Sequence, residues 1–412
     1  MRNIIFYKDS LIVHGDSQVI QYDLKTGEFR HLFKQQTEVM TFSIGQVALE
    51  NDTLYLSFRV YELQYLGILS LDEQQRAPQT WAAYIQYFSK SNAREVARLV
   101  RSDLSAESVR LMQVQFPESV RISTSASVEP LSLAVGHGLI VLGYTNCSHI
   151  IVFLQSEIEQ EFRNLENAIS TQVQNGRVGR KPEVQTIRLC QCEPYVLSVQ
   201  AVQFPDSILD DPMYSADSLL ISEAGVLQSQ VQVEQFGNFK QALAYYDLGV
   251  IVSRQSPRVA EILPLSVIGL MGYCGAGLEQ RLVRLHGREC WVVADPIRDL
   301  TVLERELISA QMSSFPAENL QHARTTVNDG DTMVYVLGLF GKLLKCVKLA
   351  GKSLASEAFV DMDTGPDGSV VVANSCGQVA LFGVGPGDAP VSRTSQFFAV
   401  EAPGIRQYRN SE

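Results

Sequence analysis

An all-β fold made of small antiparallel sheets is what this sequence predicts, and three observations predict it. Short apolar, β-branched runs recur along the 412 residues. They are divided by tight clusters of Gly, Pro, Asn and Asp, residues that supply positive φ, a preset φ or a side-chain bond to the local backbone. The runs come in threes, each triplet a meander too small to bury its own apolar face. The clearest is Phe359 to Phe382, FVDMDTGPDGSVVVANSCGQVALF, where Gly365-Pro366-Asp367-Gly368 and Asn374-Ser375-Cys376-Gly377 separate three strands. Sheets of that size gain buried faces by stacking on one another, so a ring of them is expected.

In chain order, the first triplet is Asn3 to Tyr7, Ser10 to Val13 and Gln18 to Asp23. Met40 to Leu49, Thr53 to Arg59 and Leu63 to Leu71 follow, with Glu50-Asn51-Asp52 as a turn. Leu131 to Val135, Gly138 to Tyr144 and His149 to Gln155 are joined by Gly136-His137 and Thr145-Asn146. Tyr195 to Phe204, Ser218 to Ser222 and Gly225 to Val233 make a fourth triplet. Gln241 to Leu248, Gly249 to Ser253 and Arg258 to Leu263 make a fifth. Arg281 to Leu285, Glu289 to Ala294 and Asp299 to Leu303 form a weaker sixth. His322 to Val327, Thr332 to Leu339 and Lys342 to Leu349 form a seventh, with Asn328-Asp329-Gly330-Asp331 as a hairpin turn. The C-terminal meander is the eighth.

Two stretches break this rhythm. Between Thr80 and about Val114, Ala93, Val96, Ala97 and Val100 fall at helical spacing, while Arg94, Arg98 and Arg101 occupy the other face. In residues 157–182, Ile158, Phe162, Leu165 and Ile169 repeat that spacing before the loop Asn175 to Pro182, which carries Arg177, Arg180 and Lys181. Both are expected as helical insertions. An apolar stripe on such a helix serves packing first, and a basic face is first of all a solvated one.

A family resemblance rests on the chain's two ends. Gln18 to Phe29, QVIQYDLKTGEF, looks like the close of a WD40 repeat, with Tyr22-Asp23 in the place of its Trp-Asp pair. Pro366-Asp367-Gly368 and Cys376-Gly377-Gln378 resemble the two inner turns of such a repeat. The last meander departs from the pattern at Leu381-Phe382-Gly383, where no Asp follows. No Trp-Asp pair occurs: Trp81 precedes Ala82 and Trp291 precedes Val292. The resemblance, over about the first 30 and last 50 residues, implies a single WD40-like β-propeller across residues 1–412. Seven blades are the expectation and eight the alternative. The likeness implies a fold and carries no chemistry over.

Composition narrows the function. Apolar residues are 46% of the chain and charged residues 19%, a globular balance. A net charge of -11 opposes a broad nucleic-acid footprint, which needs concentrated Lys and Arg. Seven scattered cysteines suit a reducing compartment better than a disulfide framework. The start, MRNIIFYKDS, lacks the h-region of a signal peptide, and no apolar run reaches the about 18 residues of a membrane span. A cytoplasmic or nuclear location is expected.

Each catalytic motif in the chain fails a requirement. Leu11 to Ser17, LIVHGDS, resembles a GDS-type nucleophile block, yet no Asp-x-x-His element supplies the base. Ala350-Gly351-Lys352-Ser353 resembles a phosphate loop with Cys346 where the leading Gly belongs. Asp361, Asp363 and Asp367 lack the later ligands of a calcium loop, with Pro366 and Val372 at two required positions. The glycines in GLMGYCGAG, Gly269 to Gly277, have no βαβ setting. Cys190-Gln191-Cys192 has neither zinc nor redox spacing. The six histidines are dispersed, mostly at strand ends, and are expected at surfaces and turns.

No catalytic residue, cofactor or metal is therefore assigned. The expectation is a non-enzymatic scaffold that binds other proteins at the propeller top or rim and through its insertions. Arg94, Arg98, Arg101, Arg177, Arg180 and Lys181 are its candidate contacts for acidic partners. The alternative is a propeller hydrolase or lyase with a site at the central channel, where residues from several blades would converge.

Overall fold

The computed structural model describes residues 3–15, 18–34, 42–60, 63–71, 109–114, 116–117, 120, 128–174, 192–199, 213–235, 238–253, 258, 260–269, 279–285, 288–297, 320–321, 330–349, 360–364, 370–374, 378–382 and 397–399. Six sheets arise among them. Sheet 1 is β1 (Asn3–Tyr7), β2 (Ser10–His14), β3 (Gln18–Asp23) and β4 (Phe29–Lys34). Sheet 2 is β5 (Phe42–Glu50), β6 (Thr53–Val60), β7 (Leu63–Ser70) and β8 (Val109–Val114). Sheet 3 is β9 (Pro130–Gly136), β10 (Leu139–Tyr144), β11 (His149–Leu154) and β12 (Tyr195–Ser198), with helix α1 (Gln155–Gln174) between the last two. Sheet 4 is β13 (Met213–Ile221), β14 (Val226–Gln235), β15 (Asn238–Asp247) and β16 (Ser266–Gly269), with a helical turn α2 (Gly249–Val252) after β15. Sheet 5 joins β17 (Glu279–Leu285), β18 (Arg288–Pro296), β20 (Thr332–Gly338) and β21 (Leu343–Leu349), and β19 (Leu320–Gln321) lies parallel to β21 at its edge. Sheet 6 is β22 (Val360–Thr364), β23 (Val370–Asn374), β24 (Gln378–Phe382) and β25 (Phe397–Ala399).

Alternation along each strand sends side chains to both faces, and each face meets the next sheet. Ile12 and Val19 of sheet 1 pack with Leu54 and Phe58 of sheet 2. Leu66 and Met112 of sheet 2 meet Ile140, Leu142 and Phe153 of sheet 3. Leu139, Val141 and Val152 on the opposite face of sheet 3 meet Leu227, Val231 and Ala244 of sheet 4. Leu243 and Tyr245 then face Trp291 and Val293, and Val292 and Val334 face Met362 and Val372 of sheet 6. The first strands lie side by side, β1 against β5, β5 against β9, β9 against β13 and β17 against β22. Gln280 on β17 donates to Ser218 on β13 at 2.5 Å, linking the remaining pair. Small meanders stacked face to face, with first strands gathered at one edge, are the blades of a β-propeller.

Among the described residues, strands of the expected triplets are regrouped into sheets that take a fourth strand. Tyr195–Ser198 completes sheet 3, where Ile151 pairs with Val196, instead of opening a new meander. Gly249 to Ser253, expected as a strand, forms α2: Asp247 Oδ1 accepts the Gly249 amide at 2.8 Å, and the Leu248 carbonyl accepts those of Ile251 and Val252. Those three bonds turn the chain here in spite of the β preference of two valines and an isoleucine. β20 pairs with β18 on one side, Met333 opposite Asp295, and with β21 on the other. Asp299 to Leu303 and His322 to Val327 lie outside the described residues. Of the first insertion, Val109–Val114 is β8, a blade strand, and the second insertion begins as the expected helix, at Gln155.

Candidate functional site

The six basic residues expected to contact partners, Arg94, Arg98, Arg101, Arg177, Arg180 and Lys181, lie outside the described residues. Helix α1 precedes the second group. Its Ile158 and Phe162 are buried in the seam between sheets 2 and 3, so this part of the stripe packs against blades.

A strap holds α1 and sheet 3 together. Ile262 lies parallel to Leu197 at the outer edge of β12, its amide donating to Val196 O at 3.1 Å and its carbonyl accepting from Ser198 N at 2.9 Å. Arg258, just before it, pairs with Glu157 in the first turn of α1 and donates to Glu193 O at 2.6 Å. Its guanidinium stands 5.2 Å from the centre of the Tyr195 ring. Glu261 Oε1 lies 3.1 Å from His149 Nε2, and Ser148 Oγ lies 2.7 Å from His149 Nδ1.

Serine, imidazole and carboxylate in line have the members of a hydrolytic triad, but Ser148 and His149 are both buried and the hydroxyl lacks the open approach that a nucleophile needs. The group staples the strap to β11. His14 and His149, expected at surfaces, are both buried. Burial pushes the neighbouring Cys147 thiol up to about 12 and lifts the Tyr144 hydroxyl well above its ordinary value. Among the described residues no group of three or more His, Cys, Asp or Glu could hold a metal, and no helix is long and apolar enough to cross a membrane.

Among the described residues, large apolar side chains stand in solvent on sheet 1 and on the rim. On sheet 1, Phe6 is 76% exposed and Phe29 64%. On the rim, Leu263 and Leu265 are 60% and 58% exposed beside Val267 of β16. Across from them, Ser266 Oγ donates to Phe340 O at 2.6 Å and ties the β20–β21 turn, with exposed Phe340, to the same strand; Leu344 of β21 is exposed as well. Arg258 to Leu263, expected as the third strand of a triplet, instead crosses to sheet 3, where Ile262 pairs with Leu197. The sequence signal for the exposed rim was the uncharged run from Ile262 to Leu278.

No protein-family model matches the chain, and no curated protein does. Among solved structures, it is similar to the N-terminal domain of Nup159, with 10% identity and a TM-score of 0.37 over 90% of this chain and 72% of that one. It is similar to the WD40 domain of SCAP from fission yeast, with 8% identity and a TM-score of 0.33 over 95% and 73% of the two chains. A third similar structure is prolyl oligopeptidase B from Galerina marginata, with 7% identity and a TM-score of 0.37; 92% of this chain is covered, and it spans only 38% of that enzyme's length.

Proposed function

We propose that this protein is a protein-interaction platform, a propeller subunit of an intracellular multiprotein assembly in the cytoplasm or nucleus. The observation that carries the reading is the retention of large apolar side chains in solvent, Phe6 and Phe29 on sheet 1 and Leu263, Leu265 and Phe340 on the rim. Apolar groups clustered on a surface mark places where another macromolecule sits. The four cysteines among the described residues, Cys147, Cys192, Cys290 and Cys346, are all free thiols, which supports a reducing compartment. Arg94, Arg98 and Arg101, with Arg177, Arg180 and Lys181, would supply a second kind of contact, to acidic partners.

The test is affinity purification of the tagged chain from its native cells, followed by size-exclusion chromatography and mass spectrometry. A stoichiometric complex that survives gel filtration is the expected outcome. A chain that elutes alone under gentle conditions overturns the reading. Reversing both basic groups to Glu should weaken binding of an acidic partner; binding that is unchanged removes those six residues from the interface.

A further inference from the structure

We propose that sheet 1 receives an added blade, a small antiparallel β-sheet of another protein that lays its apolar face on Phe6, Leu11, Tyr22 and Phe29. The inference rests on the platform reading and names the structural class of one partner.

An antiparallel sheet with water on one side alternates apolar and polar residues along its strands. Sheet 1 is not composed that way. Ile12 and Val19 pack with sheet 2, and the opposite face is apolar as well. Phe6 pairs with Leu11, Leu11 with Tyr22 and Tyr22 with Phe29, one row across all four strands. Beside it, Ile4 pairs with Val13 and Val13 with Ile20. In the folded chain Phe6 is 76% exposed, Phe29 64%, Ile4 47% and Tyr22 39%. The composition is that of a blade with neighbours on both faces, and one of these faces stands in water.

The fold indicates what covers such a face. The described packing between blades is sheet on sheet throughout, from sheets 1 and 2 to sheets 5 and 6. The open row continues that series. Neighbouring strands lie about 4.8 Å apart, so a row over four of them is about 14 Å wide; a strand added at an edge would reach only one end of it. In a propeller the last blade turns its free side toward the first. That side of sheet 6 carries Val371, 36% exposed, and, at the positions alternating with buried Met362, Asp361 and Asp363 of β22. Sheet 6 laid directly on sheet 1 would bring two carboxylate positions of its first strand onto Ile4 and Phe6 of β1, a burial that apolar side chains do not offset. A separate sheet resolves the mismatch, being apolar toward sheet 1 and polar on its innermost strand toward β22. A second copy of this chain offers sheet 1 the same apolar row and brings nothing to β22.

The experiment puts the photoreactive p-benzoylphenylalanine in place of Phe6 in the tagged full-length protein, irradiates its native cells and maps the cross-linked segment by mass spectrometry. In parallel, wild type and Phe6→Glu/Phe29→Glu are compared for complex recovery, for sedimentation and for binding of the apolar dye anilinonaphthalene sulfonate. Both substituted side chains are exposed, and urea unfolding confirms that the variant folds. Expected is a cross-link to another protein, in a segment with two or more runs of alternating apolar residues joined by turns. That protein should be recovered at least about tenfold less with the variant, and the isolated wild type should bind the dye more strongly than the variant does. A cross-link within this chain, or to a partner segment of helical apolar spacing, overturns the proposal. So does equal dye binding by the two proteins. A concentration-dependent dimer of the wild type that the variant abolishes overturns it too, since the occupant is then a second copy. A native complex recovered equally by both proteins removes the added blade and leaves the platform standing. A wild type that elutes alone sinks the platform and the added blade together.

Discussion

Arg258 and Glu157 form an ion pair that fastens the first turn of α1 to the segment leaving sheet 4. Both side chains are partly buried, at 27% and 23% exposure, and the same guanidinium also binds Glu193 O and faces Tyr195. The strap therefore joins two blades and a helix through one side chain.

Arg258→Ala should destabilise the protein by about 1 to 2 kcal/mol, because charged hydrogen bonds are lost and Glu157 is left without its cation in a partly buried place. Arg258→Lys should recover only part of this, since a point charge cannot reproduce the planar fork on Glu157, Glu193 and the Tyr195 ring. Urea unfolding of the three proteins checks it, and equal midpoints would show that the strap adds nothing to stability.

Gly143→Ala should cost about 1 to 3 kcal/mol, the usual range for overpacking. A Cβ at that position of β10 would stand 2.2 Å from Ser132 Oγ and 2.5 Å from Ala216 O. Ser132 Oγ already donates to Ala216 O at 2.7 Å, so the hydroxyl cannot turn away without losing its bond. The inner strands of sheets 3 and 4 approach this closely only because one side chain is missing. A variant with wild-type stability would mean that the seam is looser than these distances state.

Turns were legible in the sequence because positive φ restricts the residue. Asn51, His137 and Asn146 hold φ of 54°, 54° and 52°, each inside a turn read from sequence. Strand runs were legible for the same local reason, through the alternation that now points Leu139 one way and Ile140 the other. Membership of a blade was not, since β12 joins β11 across the whole of α1, and β20 reaches back to β18 past β19. The strap was hidden too: His149 and Glu261 meet through folding alone, and neither stands in a local pattern. As for the basic residues, their spacing described a charged face without saying what it touches.

Thiol labelling should follow burial. Cys147 and Cys346 are buried and burial pushes both thiols up to about 12, while burial also raises that of Cys290. The thiolate is the reactive form, so at pH 8 iodoacetamide should modify half-buried Cys192 well before these three. Peptide mass spectrometry over time gives the order. Rapid labelling of Cys147 in the native protein would mean that the seam between sheets 2 and 3 opens on the labelling timescale.

Asp217, the extra residue where the β13–β14 register shifts, gives the protein a pH dependence. Burial raises its carboxyl above the ordinary value of 3.8, although Gln232 Nε2 donates to it. A raised carboxyl binds its proton more tightly in the folded state, so its contribution to stability is complete below pH 3.8 and is lost as pH rises through the folded value. Asp217→Asn keeps an acceptor for Gln232 and removes the titration. Its stability relative to wild type should therefore grow as pH is raised from 4 toward neutrality, read from urea midpoints at each pH. A difference that stays constant would mean that the carboxyl ionises alike in folded and unfolded chains, and that the bulge on β13 is open to water.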